Sequence, residues 1–323
     1  MIAEAVVPTS EQGHLRRLDM RGDLAKVADL VELCFYDTLD PEGKQYLKEM
    51  RRAAQNASVL GWASSLIEDA PMPPSGYVWE EDGRLVGNLS LIPIHVQGKR
   101  CYMIANVATH PEYRGRGIAR ALTASALEYG RSRNSACVWL QVRDDNPSAI
   151  HIYETAGFNE CLRRTSWYSG PDLQKHSSIA GVKIGKRRHD HWAYQQEWLK
   201  RIYPPELDWH IPWDWNLFRP NIWGKLYRFF TLEFPHHWSV EHNGALKGTL
   251  TWKHTGGFTD PLWLAVSEDV DESAILSLLL YGRKKIGQAR PLSLNCPAGM
   301  AVDVLRQAGF YPHQTLIWME KKY

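Results

Sequence analysis

The first eight residues, MIAEAVVP, lack both a basic start and a long apolar run, which speaks against a signal peptide or a membrane anchor there. Cysteine is scarce, with five in 323 residues. The number is odd and the spacing holds no close metal-type pair, which argues against a disulfide framework and a metal site and for a reducing compartment. Cys34, Cys101, Cys137 and Cys161 are read as packing residues. Excess charge is missing too: the formal net charge is +2, so nothing electrostatic recommends a polyanionic partner. The expectation is a cytoplasmic globular protein with no metal, membrane or nucleic-acid partner. At 44% apolar and 23% charged residues, the chain is long enough for two domains with cores of their own.

Two familiar nucleotide loops are also absent, although one stretch comes near them. "VATHPEYRGRGIARAL" (107–122) sets two glycines between an apolar, β-prone run, "CYMIANVAT" (101–109), and a helical pattern carried by Ile118, Leu122, Ala126 and Tyr129. A Walker A loop needs Lys-Ser/Thr after its last glycine, where Ile118-Ala119 stands. A Rossmann fingerprint needs a third small residue where Arg120 stands. What remains is a strand-to-helix junction whose first helical turn offers unpaired N–H groups and the positive end of the macrodipole. Arg114 and Arg116 add formal charge in a shape that suits phosphate oxygens. An incidental glycine turn or an Arg-Gly nucleic-acid segment are the alternatives.

A second stretch narrows the choice. "DDNPSAIHIYETAGF" (144–158) follows the strand-like "CVWLQV" (137–142). It reads as a short helix with Asn146 as N-cap, Pro147 at the first helical position and Gly157-Phe158 as its stop. Ala149, Ile152, Tyr153 and Ala156 share one face. The bland reading makes Tyr153 ordinary core and Asn146 only a cap. Taken together, Arg-x-x-Gly-x-Ala at 114, 117 and 119 and N-P-x-A-x-x-x-Y-x-x-x-G-F at 146–158 resemble the two signatures of the GNAT superfamily of N-acetyltransferases. The resemblance covers about residues 14 to 168. Within it, "HLRRLDMRGDLAKVADLVELCF" (14–35) corresponds to the opening strand and helix, and "WEEDGRLVGNLSLIPI" (79–94) to the central hairpin, turning at Asp82-Gly83.

The resemblance implies acetyl-CoA as cosubstrate, a primary amine of a small molecule or peptide as acceptor, and direct transfer between them. The main-chain N–H groups of Gly115, Arg116, Gly117, Ile118 and Ala119 would hold the pyrophosphate, with Arg114 beside it. Main-chain groups of Val107 and Thr109 would pair with the pantetheine arm, the side chain of Asn146 would reach the same arm, and Tyr153 would point at the sulfur. A strand N–H aimed at the carbonyl oxygen would stabilise developing charge. Tyr153, with an ordinary pKa of about 10, would protonate a thiolate whose conjugate acid lies near a value of roughly 8.5. Some family members carry a glutamate on the fourth strand, but "CYMIAN" holds no carboxylate. His95, Tyr102, Asn106 and His110 are the nearest polar groups. An O-acetyltransferase, a transferase of longer acyl groups and a non-catalytic acyl-CoA sensor remain alternatives.

The rest of the chain repeats the first half. "EEDGRLVGNLSL" (80–91) is echoed by "EHNGALKGTLTW" (241–252), "LEYGR" (127–131) by "LLYGR" (279–283), and "YETAGF" (153–158) by "LRQAGF" (305–310), in the same order. The expected fold is α/β (α+β): two tandem GNAT-like domains, 1–170 and 171–323, each a mixed, mostly antiparallel twisted sheet flanked by helices. The second copy lacks the signatures. Its segment Leu264 to Tyr281 is five residues shorter than Val107 to Tyr129, Leu305 stands where Tyr153 does, and "PAGMA" (297–301) replaces Asn146-Pro147. "SGPDLQKHSSIAG" (169–181) has linker composition. "KIGKRRH" (183–189) reads as a solvated basic face rather than a nucleic-acid patch. Trp192, Trp198, Trp209, Trp213, Trp215, Trp223 and Trp238 either fill an inter-domain interface or line an acceptor cleft.

Overall fold

The computed structural model describes residues 13–55, 75–171, 179–207, 210, 215–221, 234–287 and 290–323. Residues up to Glu160, together with Met319–Tyr323, form one compact unit, and Cys161–Trp318 form a second. In the first unit β1 (His14–Arg17), β2 (Ser75–Glu81), β3 (Arg84–Val96) and β4 (Lys99–Thr109) are antiparallel neighbours, and β5 (Cys137–Arg143) runs parallel to β4. The β2–β3 turn falls at Asp82-Gly83, where φ is +50° and +71°. Two left-handed residues are what a type I′ hairpin requires, and Asp-Gly supplies them at low cost.

Helices cover both faces. On one, α1 (Leu24–Phe35) and α2 (Pro41–Gln55) bury Leu24, Val27, Val31, Leu47 and Met50 against Val78 of β2 and Ala108 of β4. On the other lies α3 (Ile118–Ser132), which follows the glycine loop and buries Ile118, Leu122 and Ala126 at the expected spacing. This helix rests directly on Gly87 of β3, where an added Cβ would stand 2.6 Å from Ile118 Cγ2 and 3.2 Å from Leu122 Cδ1. Any larger residue there would lift α3 off the sheet. After β5, α4 (Pro147–Thr155) starts at Asn146 as the sequence predicts.

One ion pair fixes the entry to α1. Arg16 donates Nη1 and Nη2 to Asp23 at 2.6 and 2.9 Å, and the Asp19 N–H adds 2.8 Å to the same carboxylate. Burial alone would raise the Asp23 pKa, but the Arg16 and Asp19 hydrogen bonds outweigh it and hold the carboxyl below its ordinary value. Its stabilisation is therefore fully present above the unfolded value of about 3.9 and is lost as pH falls through the lower folded value. Asp23→Ala, which leaves Arg16 half-paired, is expected to cost about 3 kcal/mol at pH 7. Urea titrations at pH 7 and pH 3 check this, because the wild-type advantage over the variant shrinks in acid; an equal gap at both would refute it.

Cys101 and Cys137 are the first facing pair of the β4–β5 ladder and are bonded as a disulfide, with Cα atoms 5.0 Å apart. This corrects their reading as packing residues. They lie 36 residues apart, so only strand register brings them together.

The second unit repeats the order. Its strands are β6 (Asn159–Ser169, from Cys161 on), β7 (Val182–Lys186), β8 (His236–His242), β9 (Ala245–Trp252), β10 (Asp260–Val266), β11 (Leu292–Pro297) and β12 (Phe310–Lys322, up to Trp318). β7 through β10 are antiparallel neighbours and β11 is parallel to β10, as β5 is to β4. Its hairpin turns at Asn243-Gly244 with φ of +51° and +82°. The helices are α5 (Trp192–Ile202), a single turn at Trp215–Phe218, α6 (Glu272–Ile286) and α7 (Val302–Gln307).

Trp198 belongs to this unit's own core, and Trp192 and Trp238 pack against it. Trp209, Trp213 and Trp223 lie outside the described residues, as does most of the linker-like segment, 172–178. Two arginines of the basic run are engaged by residues outside it: Arg187 donates to Phe218 O at 2.9 Å, and Arg188 bridges Asp190 and Glu241.

Candidate active site

β4 and β5 pair only from Cys101–Cys137 to Ile104–Leu140, although β4 runs on to Thr109 and β5 to Arg143. The parting is built into β4. Against β3, Asn88 faces Ala108 and Ser90 faces Ala105, so two steps on β3 match three on β4. The extra residue makes a β-bulge, which bends a strand and ends its pairing. Asn106 sits in it with φ +52°, a conformation that Asn adopts more readily than most residues. Ala105, Asn106 and Val107 are all half-buried, so their main chain borders the gap between the strands.

The glycine loop follows Thr109. Gly115 and Gly117 have φ of +78° and +79°, and an added Cβ at either meets nothing within 4 Å. Gly117 is the N-cap of α3 and offers no side chain to cap it. The helix therefore begins with free N–H groups and open space in front of them, the condition for anion binding at a helix N-terminus. Arg114 Nε donates to Thr109 O at 3.3 Å, and Cys34 Sγ approaches the same oxygen at 3.3 Å. Arg116 pairs with Glu81 at 2.9 Å and lies over the Tyr113 ring at 4.7 Å.

Asn146 Oδ1 accepts the Ala149 N–H at 3.1 Å, so its carbonyl end is spent on the cap and only its Nδ2 is available to a ligand. Tyr153 is 6% exposed, with its ring edge-on to Phe158 at 6.0 Å. Burial raises its pKa well above the ordinary phenol value. Its hydroxyl makes no hydrogen bond to a described residue, yet it is not among the sealed polar atoms. Burial thus keeps the Tyr153 O–H neutral, with its proton uncommitted.

The polar groups near the fourth strand are scattered. Tyr102 is 2% exposed, edge-on to Tyr129 of α3, and accepts from Arg100 at 2.8 Å. His95 is exposed on β3, and His110 lies after Thr109 against Tyr113. Asn106 alone stands at the bulge, donating Nδ2 to Tyr46 Oη of α2 at 3.1 Å. Neither the bulge nor Tyr46 is signalled by the sequence, because both depend on strand register. Among the described residues no group of three or more His, Cys, Asp or Glu could hold a metal ion, and no helix is long and apolar enough to cross a membrane.

This arrangement of sheet and helices is shared with solved acetyltransferases. A GCN5-related N-acetyltransferase from Sphaerobacter thermophilus superposes with a TM-score of 0.57 at 14% identity, over 97% of this chain and 96% of that one. Residues 26–158 match the model of the acetyltransferase (GNAT) family. The [ribosomal protein bS18]-alanine N-acetyltransferase of Escherichia coli strain K12 is 35% identical over 79 residues, 24% of this chain and 53% of that protein. Mycothiol acetyltransferase of Corynebacterium kroppenstedtii is 32% identical over 107 residues, 31% of this chain and 26% of that protein. The chain thus spans about half the length, or less, of these curated relatives. Both signatures lie on the expected elements, inside the stretch 26–158 that matches the acetyltransferase (GNAT) family, so it is this part of the chain that carries the family's domain.

Proposed function

We propose that the protein transfers the acetyl group of acetyl-CoA to a primary amine at the gap between β4 and β5. The observation that carries this reading is the uncapped N-terminus of α3, which opens at the end of a strand already parted from its parallel neighbour. The N–H groups of Gly115, Arg116, Gly117, Ile118 and Ala119 hold the pyrophosphate, with Arg114 beside them. Val107 and Thr109 supply main-chain partners for the arm. Thr109 O is already engaged by Arg114 and Cys34, which leaves its N–H side and Val107 the larger share. Asn146 contributes through Nδ2.

Acetyl-CoA supplies the thioester. The amine nitrogen attacks its carbonyl carbon, the C–S bond breaks, and Tyr153 gives its proton to the departing sulfur. The amine releases its own proton to water, and Tyr153 is reprotonated from solvent. Burial raises the Tyr153 pKa, which makes the phenol a weaker acid, so its proton transfer depends on the buried site disfavouring the thiolate as well.

Residues 171–323 are, in this reading, a degenerate copy. In support, its α6 begins at Asp271, whose carboxylate already accepts the Ala274 N–H at 3.0 Å. The position of Tyr153 is taken by Leu305, which is fully buried. Calorimetric titration with acetyl-CoA should give one saturable site per chain and none for ATP. Two sites would restore the second unit, and no binding would end the transferase reading. A sensor, by contrast, would bind acetyl-CoA yet release no thiol on addition of any amine.

A further inference from the structure

Arg16, Arg51, Arg116 and Arg143 of the first unit each hold a carboxylate. Arg17, Arg100, Arg131 and Arg133 do not: all four are exposed, and among the described residues none of them meets an acid. They lie on tyrosines instead. Arg17 and Arg133 share the Tyr129 ring, at 5.8 and 5.3 Å from its centre. Arg100 lies 5.6 Å from the Tyr102 ring and Arg131 5.6 Å from that of Tyr323. Tyr102 and Tyr129 themselves meet edge to face at 5.4 Å. Contacts of arginine or lysine with a ring occur about once in 70–80 residues, so four around one helix end exceed what ordinary packing supplies.

The main chain draws these groups together at the end of α3. The Ala136 N–H donates to Arg100 O at 2.9 Å, and the Tyr323 N–H donates to Ala136 O at 3.2 Å. The Cys101–Cys137 disulfide lies one residue further along each strand and holds this floor. Basic residues at a helix end commonly serve its last carbonyls. Here other groups do so. Tyr129 O accepts from Ser132 Oγ at 2.8 Å and from the Arg133 N–H at 3.1 Å. Gly130 O accepts the Ser135 N–H at 3.1 Å, Arg131 O the Asn134 N–H at 3.0 Å, and Leu127 O the Tyr323 hydroxyl. The guanidinium groups of Arg131 and Arg133 are therefore not spent on capping. Against the four charges stands Glu128, exposed three residues before Arg131, while Glu320 is held by Lys322 at 3.2 Å. The net charge of +2 is an average over the whole chain that hides this local excess.

We propose that Arg17, Arg100, Arg131 and Arg133 form a docking surface for the phosphate backbone of a single-stranded nucleic acid. A forked guanidinium matches two phosphate oxygens at once, and the rings beneath hold these forks in place. Tyr102 is 2% exposed and Tyr129 half-buried, so the surface presents charge rather than the apolar centre of a protein interface. The donors come from a strand end, a hairpin and a helix end, not from one row, and a flexible strand follows such an arrangement better than a rigid duplex. α3 has 15 residues, which sets this surface about 20 Å from the glycine loop at the other end of the helix. A strand bound here and a pyrophosphate bound there do not overlap. Binding at this surface is independent of the acetyl-transfer reading.

The experiment follows the fluorescence anisotropy of a labelled oligouridine titrated with the full chain at salt concentrations from about 50 to 200 mM. Wild type should bind with a Kd of about 1–100 μM at the lower salt. Each phosphate neutralised on a single strand contributes about −0.7 to the slope of log K against log[salt], so four arginines should give about −3. Arg17→Gln combined with Arg133→Gln should weaken binding about 10-fold and remove about half of that slope. Arg188→Gln, at an arginine that Asp190 and Glu241 already hold, should change neither. Saturating acetyl-CoA should leave the affinity for the strand unchanged. If the double variant does not fold, Arg131→Gln alone should lower the slope by about 0.7.

No binding at the lower salt, a slope near zero, or an unchanged affinity in the folded double variant overturns the proposal. Competition by acetyl-CoA does so too, because it puts the strand on the glycine loop with Arg114 and Arg116. Tighter binding of polyglutamate than of oligouridine would assign the surface to an acidic protein instead, and tighter binding of a duplex of the same length would remove the single strand as its occupant.

Discussion

Gly117→Asp is expected to leave the first unit folded and to weaken acetyl-CoA binding about a thousandfold. The second unit offers a parallel: Asp271, at the N-cap of a helix of the same length, accepts the Ala274 N–H, from extended backbone (φ −87°) where Gly117 is left-handed (φ +79°). An aspartate at 117 would fill the free N–H groups of α3 with its own carboxylate and repel a pyrophosphate brought to the same spot. The stability change is small because opposing effects are of similar size. Asp in the left-handed region is worse than Gly by about 1 kcal/mol, and a capped N-terminus returns about 1 kcal/mol. The added atoms enter open space, since a Cβ there meets nothing within 4 Å. Losing two charge-assisted hydrogen bonds and gaining like-charge repulsion amounts to about 4 kcal/mol, and each 1.4 kcal/mol is a factor of about ten. Calorimetry gives the affinity and thermal melting the stability. Near-normal binding by a folded variant would place the pyrophosphate elsewhere.

The sequence made the local parts of this molecule legible and left the long-range parts hidden. Asp82-Gly83, Gly117 and Asn146 each act within a few residues of themselves, and each lies where turn and cap chemistry put it. The repeated Asn243-Gly244 turn, and the parallel strand after each long helix, follow from the echoed segments. The bulge at Asn106 depends on how β3 counts against β4, and no local pattern in "CYMIANVAT" encodes that mismatch. The bond between Cys101 and Cys137 depends on which strands lie side by side, and counting cysteines pointed the other way. Tyr46 looks like one more apolar position of α2 until Asn106 is seen to reach it. The return of Met319–Tyr323 to the first unit is likewise a matter of topology.

Tyr153→Phe is expected to lower kcat by about 10²- to 10⁴-fold, the usual worth of a positioned acid, while acetyl-CoA affinity stays nearly unchanged. The substitution removes one oxygen from a ring whose packing against Phe158 is retained, and that oxygen bonds to no described residue. Nothing in the fold therefore depends on it, and the loss falls on the chemical step. The pH profile gives an independent readout. Because burial holds the Tyr153 pKa above the ordinary value of about 10, the phenol stays protonated through neutral and mildly alkaline pH. No alkaline fall in kcat should then arise from Tyr153 below about pH 10, and the rise of rate with pH should track the acceptor amine alone. In the Phe variant the same rising limb should persist at a lower plateau. If the variant keeps full kcat at saturation, or if its only defect is weaker cofactor binding, Tyr153 is a packing residue and the thiolate is protonated by solvent.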